Sequence, residues 1–159
     1  MSNDQDQQAN EQNPQLELGI QRIYIKDVSF ETPNSPDIFT AEWKPNMDIN
    51  LGTETKKLSD NIFEVVLKVT VTVKSEEKTA FLAEVHQAGI FMIKGLEESQ
   101  LAPVFGITCP NILFPYVREA ISDLVNKGSF PQLVLSPINF EALFAQQMKQ
   151  QQQPKEAQH

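Results

Sequence analysis

The sequence is short of the residues on which most catalytic and metal sites depend. Its 159 residues include one cysteine, two histidines and six glycines. The spacings typical of glycine-rich phosphate loops, paired cysteines and histidine-based metal motifs are absent. The carboxylates are dispersed, so no pair is placed for general acid and base catalysis. We therefore predict that the protein is not an enzyme and that it carries neither a metal nor another cofactor.

The few residues of these types have simple structural interpretations. Cys109 cannot form an internal disulfide, which favours a reducing compartment, and it is interpreted as a small buried apolar residue. His86 lies within a predicted strand and is interpreted as a surface or interface residue rather than a ligand. His159 falls in a polar tail.

Positive charge and long apolar runs are also scarce. The formal net charge is −8 and the pI is about 4.7, which argues against binding to nucleic acids or anionic membranes. No apolar run approaches the ~20 residues of a membrane span. The N-terminal residues lack the apolar core of a signal peptide. We expect a cytoplasmic protein that binds no nucleic acid and does not insert into a membrane.

What the chain does have is a clear alternation between Ile62 and Ile93. From Phe63 to Val73 the odd positions are apolar and most even positions are polar, which predicts a strand with one buried and one wet face. Residues 75–78 predict a turn, and the run that follows predicts a returning strand. That second strand has apolar residues on both faces. We therefore expect two coverings for the sheet, its own helices and a second subunit.

The remaining patterns complete an α+β fold. A β-rich run from Leu18 to Phe30 and a short strand that ends near Gly52 precede the hairpin, which predicts four antiparallel strands in succession along the chain. Apolar residues then recur at three- and four-residue spacing from Pro110 to Gly128. This indicates a helix with proline in its first turn and glycine at its C-cap.

A second helix is predicted with Asn139 as its N-cap. Phe140, Phe144 and Met148 repeat at every fourth position and therefore share one face of it. Both ends of the chain are polar and too poor in apolar residues to fold. The predicted boundaries are a disordered tail at 1–17, one folded domain at 18–149 and a flexible Gln-rich tail at 150–159.

Two surfaces are candidates for function. The first is an apolar band on the second strand, before it, and on the last helix: Trp43, Met47, Ile49, Leu51, Phe140, Phe144 and Met148. Either the helix packs on the strand as ordinary core, or a groove between them accepts the apolar side chains of a partner. Aromatic and methionine linings suit promiscuous binding, because flexible polarisable side chains repack around many partners.

The second candidate is an acidic strand face. Asp27 and Glu31 share one face of the first strand, and Leu82 and Glu84 share a face of the fourth. The two first-strand carboxylates lie about 13 Å apart at ~3.3 Å per residue, which is too far for an acid–base pair. This face is either simply solvated or a docking site for a basic partner.

Four runs identify a family resemblance: IQRIYIKDVSFETPNSP, FEVVLKVTVTVK, AFLAEVHQAGIF and CPNILFPYVREAISDLVNKGSFPQLVLSPINFEALF. Together they resemble SecB, the family of bacterial protein-export chaperones. The resemblance covers about Ile20 to Met148. It implies a four-stranded antiparallel sheet followed by two helices, assembled as a homotetramer that is a dimer of dimers.

The resemblance also implies a function. SecB-like proteins bind unfolded precursor proteins without nucleotide, keep them competent for translocation and deliver them to the export ATPase SecA. The zinc in that complex belongs to SecA's C-terminal segment. By position, the resemblance assigns the client groove to Met47, Ile49, Leu51, Phe140, Phe144 and Met148. It assigns SecA docking to Asp27, Glu31, Leu82 and Glu84, and the oligomer interface to Ala83, Val85 and Gln87.

Two alternatives remain open from the sequence. One is a SecB-like chaperone that controls a toxin–antitoxin pair. The other is an oligomeric scaffold that binds one folded partner through the acidic face. A chaperone of export is expected to bind many unrelated unfolded chains and to ignore their native forms, which separates it from the scaffold.

Overall fold

The computed structural model describes residues 16–152. Within them, four long strands form one antiparallel sheet: β1 (Glu17–Glu31), β2 (Pro45–Ser59), β3 (Ile62–Ser75) and β4 (Lys78–Lys94). Their spatial order is β1-β4-β3-β2, so β1 and β2 are the two edges. The sheet is followed by helices, which confirms the predicted α+β class.

Tight turns join β2 to β3 and β3 to β4, but the chain must cross from one edge of the sheet to the other between β1 and β2. The connection at 32–44 makes this crossing and includes a short 3-10 turn at Asp37–Phe39. Ile38 within that turn is buried, and the ring of Phe39 packs on Phe130. The crossing segment therefore belongs to the apolar core.

Helical structure begins earlier than the sequence predicted. The elements in order are a 3-10 turn (Glu98–Gln100), α1 (Leu101–Pro103), a π-helical segment (Val104–Thr108), α2 (Cys109–Lys127) and α3 (Phe140–Gln152). The helix predicted from Pro110 is found as α2, which has that proline in its first turn and directly follows the π-helical segment. The wider winding is seen where the Cys109 N–H donates to the Val104 carbonyl, five residues back.

The predicted helix caps are both found. The Asn139 side chain accepts a hydrogen bond from the Ala142 N–H at 3.0 Å, as an N-cap residue should. Gly128 caps α2 but keeps an ordinary negative φ, and Ser129 takes the positive φ instead. A Cβ on Gly128 would lie 2.7 Å from the Phe30 ring. The glycine is therefore needed for close packing rather than for its backbone angles.

The two faces of the sheet differ in what covers them. Odd-numbered residues of β3 and β4 face α2: those from Val65 to Val73 and Phe81 to Val85 are almost fully buried. The residues of α2 that meet them are also fully buried: Leu113, Val117, Ile121 and Val125. We call this side the helix face. The even-numbered residues of β3 and β4 lie on the opposite side, which we call the open face. No helix of the described chain covers that face.

β2 is longer than predicted. It runs to Ser59 rather than ending near Gly52, and only Asp60 and Asn61 make the turn into β3. Asn61 has a positive φ of 61°, which suits an asparagine in a two-residue turn. The second half of β2 is exposed on both faces. Because apolar and polar residues do not alternate in this second half of β2, its sequence did not predict a strand.

The predicted tails lie mostly outside the described residues, as does His159. β1 begins at Glu17, and α3 continues to Gln152. Each of these two elements therefore overlaps the edge of a predicted tail. The domain bounds of 18–149 stay a prediction.

Two glycines of the sheet allow a matched test of packing. A Cβ on Gly89 would point to the helix face, 2.6 Å from the ring of Phe91 and 3.2 Å from Leu113, both fully buried. A Cβ on Gly52 would have no neighbouring atom of residues 16–152 within 4 Å. Gly89→Ala should therefore lower the free energy of unfolding by about 1–3 kcal/mol, because packed side chains must shift.

The control is Gly52→Ala, which should leave the free energy of unfolding unchanged or raise it by about 0.4–1 kcal/mol, because alanine restricts the unfolded chain. Urea unfolding of both variants at one protein concentration provides the measurement. Equal stability of the two variants would contradict the close packing above Gly89.

Candidate functional site

A furrow on the helix face runs along β2. One wall is β2 with Trp43 before it, and the other is the segment 131–133 followed by Ile138 and the start of α3. We call it the β2 groove. It holds two open cavities, one of about 210 Å³ around Met47 and one of about 380 Å³ around Ile49 and Leu51. Most of its lining is apolar, so it can accept apolar side chains.

Four of the seven residues predicted for the groove lie in its wall. Trp43 and Met47 line the first cavity, and Ile49 and Leu51 line the second. The register explains this, because Met47, Ile49 and Leu51 pair with the helix-face residues Val73, Val71 and Val69. Met47 is 43% exposed, whereas Trp43 is held by Phe130 at a ring-centroid distance of 5.9 Å.

Of the residues predicted on the last helix, Phe140 and Phe144 line neither cavity. Phe140 is 5% exposed and packs edge-on against the ring of Phe114, with ring centroids 6.0 Å apart. Phe144 rests on Gly106 of the π-helical segment, whose missing side chain makes room for it. Both phenylalanines therefore attach α3 to its own protomer. Met148, on the same stripe, is 39% exposed and lines neither cavity.

The stripe of α3 that faces the groove was missed from the sequence. It consists of Asn139, Ala142, Leu143 and Gln146, preceded by Ile138. These α3 residues follow three- and four-residue spacing, so they share a helix face next to the phenylalanine stripe. Leu143 was the available signal, because it is a large apolar residue off the predicted stripe.

The four residues predicted for docking lie together on the open face. Asp27 pairs with His86 across β1 and β4, and Glu31 pairs with Leu82. Glu84 pairs with Ser29, between these two positions. Two neighbouring strands thus bring three carboxylates and one leucine into a single patch, which we call the acidic patch.

The carboxylates of the acidic patch are largely unneutralised by residues 16–152. Among the described residues, Asp27 and Glu31 form no ion pair. Glu84 meets the His86 ring, with Oε1 2.8 Å from Nε2. Elsewhere on the open face Glu54 is paired with Lys68. Free negative charge in this patch favours a basic partner.

A hydrogen-bonded cluster fixes β1 to the rest of the open face. Glu64 of β3 accepts hydrogen bonds from the Tyr24 hydroxyl and from Lys26 Nζ, the latter at 2.8 Å. The hydrogen bond from Lys26 and then that from Tyr24 hold the pKa of the Glu64 carboxyl below its usual value. Burial, aided by Glu64, raises the pKa of the Tyr24 hydroxyl to about 12, so it remains a donor. This cluster holds the strand that carries Asp27 and Glu31.

Known proteins resemble the chain along most of its length. The family model described as preprotein translocase subunit SecB matches residues 9–151. The protein-export protein SecB of Methylococcus capsulatus is 57% identical over 142 residues, which cover 89% of this chain and 92% of that protein. The protein of the same name from Nitrosococcus oceani is 54% identical over 148 residues, covering 92% and 90%.

The chain belongs to the SecB family. A solved structure shows the same fold at lower identity: the Mycobacterium tuberculosis Rv1957 SecB-like chaperone, in complex with a ChAD peptide from the Rv1956 HigA1 antitoxin. It superposes with a TM-score of 0.65 at 19% identity and covers 77% of this chain and 91% of that chain. The sheet and helices described above are therefore the SecB fold.

In this SecB chain, the three residues predicted for the oligomer interface are buried within one protomer. Ala83, Val85 and Gln87 lie on the helix face beneath α2, with exposures of 0%, 0% and 3%. The Gln87 side-chain amide donates to the Tyr24 carbonyl at 3.1 Å. These residues can affect an interface only indirectly, by fixing where α2 and β1 lie. Exposed apolar side chains are found instead on the β1 edge, at Ile20, Ile25 and Val28.

No reactive centre stands out elsewhere in the described part of the chain. Burial raises the pKa of the Cys109 thiol to about 12, so it stays protonated and unreactive. In residues 16–152 no three His, Cys, Asp or Glu side chains are grouped to hold a metal ion. The helices of the same range are all too short or too polar to cross a membrane.

Proposed function

We propose that the chain is an ATP-independent chaperone that binds unfolded precursor proteins in the β2 groove, keeps them competent for translocation and delivers them to SecA. The observation that supports this proposal is the groove itself, an open apolar furrow lined by Trp43 and Met47 that residues 16–152 leave unfilled. Its named relatives in protein export support the same role.

The groove fits weak, tolerant binding. A client side chain that buries ~100 Å² of apolar surface there gains about 2.5 kcal/mol at ~25 cal/mol per Å², and ordering the client opposes this gain. Among residues 16–152 no charged side chain lines either cavity, so the lining favours apolar side chains without selecting one sequence. Several grooves in one oligomer would raise the apparent affinity, because a long client can occupy more than one at once.

The acidic patch is the proposed docking site for SecA. Its three carboxylates would attract the basic zinc-binding C-terminal segment of SecA, and Leu82 would add an apolar contact between them. The patch lies on the open face, whereas the groove lies on the helix face. A client and SecA would therefore be bound at the same time, which handover requires.

The proposed assembly is a cytoplasmic homotetramer formed as a dimer of dimers. The β1 edge exposes Ile20, Ile25 and Val28, and α2 exposes Tyr116 at 49%. These surfaces would bring two or more copies together. Such contacts would depend indirectly on the buried residues beneath α2, because these hold α2 and β1 in place. They are Ala83, Val85 and Gln87. The chaperone domain would occupy 18–149.

Serine substitutions on opposite walls of the groove test the client site. Leu51→Ser and Leu143→Ser should each weaken binding of a chemically unfolded, cysteine-blocked protein by about fivefold to tenfold, because each removes about 1–1.4 kcal/mol of apolar contact. Fluorescence titration or calorimetry provides the affinity, with the native form of the same protein as a competitor that should have no effect.

The matched control is Leu58→Ser. Leu58 is also on β2 and is 46% exposed, but it lines neither cavity. Its substitution should leave client affinity within about twofold of the parent protein. If Leu51→Ser and Leu58→Ser have the same effect, the groove is not the client site. Binding of one native partner and of no unfolded chain would favour the scaffold alternative instead.

A further inference from the structure

His86 lies inside the acidic patch. It is on β4, directly across from Asp27 of β1, and it shares the open face with Glu84, two residues earlier on the same strand. Its Nε2 atom is 2.8 Å from Oε1 of Glu84, which is hydrogen-bonding distance. The third carboxylate of the patch, Glu31, is farther away, across from Leu82. A charge on the His86 ring would therefore stand among the carboxylates that a docked partner must reach.

The two protonation states of this ring give the patch different charges. A neutral imidazole can donate one N–H to Glu84 and leaves the carboxylate charge in place. A protonated imidazole keeps that hydrogen bond but turns it into an ion pair, and its other ring nitrogen changes from an acceptor to a donor. Imidazole is the side chain whose charge ordinarily changes between pH 5 and 8. Acidification within that range would add one positive charge to the three carboxylates of the patch.

The other charged groups that face His86 within residues 16–152 belong to hydrogen-bonded sets on the neighbouring strands. Lys68 of β3 is directly across from His86, and it donates to Glu54 of β2. That hydrogen bond lowers the pKa of the Glu54 carboxyl, so Glu54 stays charged and offsets part of the repulsion between Lys68 and a protonated His86. The second set, farther along the open face, consists of Tyr24, Lys26 and Glu64.

We propose that His86 makes docking on the acidic patch depend on pH, so that a basic partner binds tightly to the neutral ring and weakly to the protonated one. This inference rests on the SecA docking proposed above and describes the regulation of that same surface. A protonated ring would repel the partner's basic groups and would engage Glu84 in an ion pair within the protomer. The partner would in turn favour the neutral ring, because the coupling between a proton and a partner is reciprocal.

Docking measured at pH 5.5 and at pH 8 tests the inference. The probe is the zinc-loaded C-terminal segment of SecA, titrated into the full-length protein. The matched variant is His86→Gln, because glutamine can donate the same hydrogen bond to Glu84 but carries no charge at either pH. Titration of the probe itself affects both proteins alike. Relative to the glutamine variant, the parent protein should therefore bind about fivefold more weakly at pH 5.5 than at pH 8.

A variant with a fixed charge provides the second comparison. His86→Lys places a positive charge at the same position at both pH values. It should bind the probe about fivefold more weakly than the parent protein at pH 8, and its binding should change with pH no more than that of His86→Gln. Binding of the lysine variant that equals that of the parent protein at pH 8 would overturn the inference, because charge at this position would then have no effect on docking.

Proton release during docking gives an independent measurement. Calorimetry at pH 6.5 in two buffers with different ionisation enthalpies shows how many protons leave the protein when the probe binds. The parent protein should release a larger fraction of a proton than His86→Gln, since the docked partner favours the neutral ring. Equal release by the two proteins would overturn the inference.

The remaining outcomes separate this inference from the proposed docking. If the parent protein and His86→Gln show the same pH dependence, the acidic patch remains the docking site but His86 does not regulate it. If the probe binds the parent protein at neither pH, the proposed docking fails together with the inference. Affinity for an unfolded client should be the same in both proteins at each pH, because the groove lies on the other face. A loss of client affinity in His86→Gln would show a structural role for His86 and overturn the inference.

Discussion

Replacing Phe140 by alanine is expected to release α3 from its own protomer. The Phe140 ring is almost fully buried and packs against Phe114 of α2. The other strong attachment of α3 is to the π-helical segment, where Phe144 lies on Gly106. Truncation of a buried phenylalanine costs about 3–5 kcal/mol. We therefore expect the free energy of local opening of α3 to fall by about 3 kcal/mol. The amides of α3 should then exchange about a hundredfold faster.

Client binding should fall in the same variant for an indirect reason, because α3 is one wall of the groove. Leu143→Ala is the control on the same helix: it removes a half-buried groove contact and leaves the phenylalanine stripe intact. That variant should bind an unfolded client more weakly, with α3 exchange within about threefold of the parent protein. If Phe140→Ala instead weakened client binding while α3 exchange stayed unchanged, Phe140 would be a groove residue after all.

The contrast between these two residues shows why the site was only partly predictable. A helix sequence reveals which residues share a face, because that depends on 3.6 residues per turn alone. It does not reveal which of two apolar stripes meets the core. On α3, Phe140 of the phenylalanine stripe is buried in the core, while Leu143 of the neighbouring stripe lines the groove. The rule that found the stripe therefore does not say which neighbour the stripe contacts.

Strand patterns were more informative, because successive side chains must point to opposite faces. The alternation from Phe63 to Val73 is found as a central strand with one buried face. Asp27 and Glu31 fell on one face in the prediction and in the structure, since both register shifts of β1 lie before Asp27. The spatial order of the strands was not predictable, because nothing in the β1 pattern distinguishes a partner on β4 from one on β2.

Reversing the charge of Asp27 and Glu84 together is expected to abolish SecA docking under physiological salt. Both carboxylates are on the open face, and within the described residues their only ionic contact is the one between Glu84 and His86. Each change to lysine replaces an attraction with a repulsion worth about 1–1.5 kcal/mol near the surface. Asp27→Lys with Glu84→Lys should therefore weaken SecA binding by about a hundredfold.

A control with the same change in net charge separates this local effect from a general one. Asp60→Lys with Glu98→Lys alters two exposed carboxylates at the opposite end of the sheet, beside the β2–β3 turn. The Debye length at physiological salt is ~8 Å, so charges at that end of the sheet are largely screened from the acidic patch. The control should bind SecA within about threefold of the parent protein, and both double variants should bind an unfolded client normally.

Salt dependence and client affinity together decide how this result is interpreted. Docking by the parent protein should weaken as the salt concentration rises, because salt screens the attraction between the patch and its partner. Docking by the patch variant should depend much less on salt, because that attraction has been removed. The groove is on the other face, so its affinity for a client should not change. Equal loss of SecA and client binding in the patch variant would mean that one surface serves both, and the separation of the two faces would be wrong.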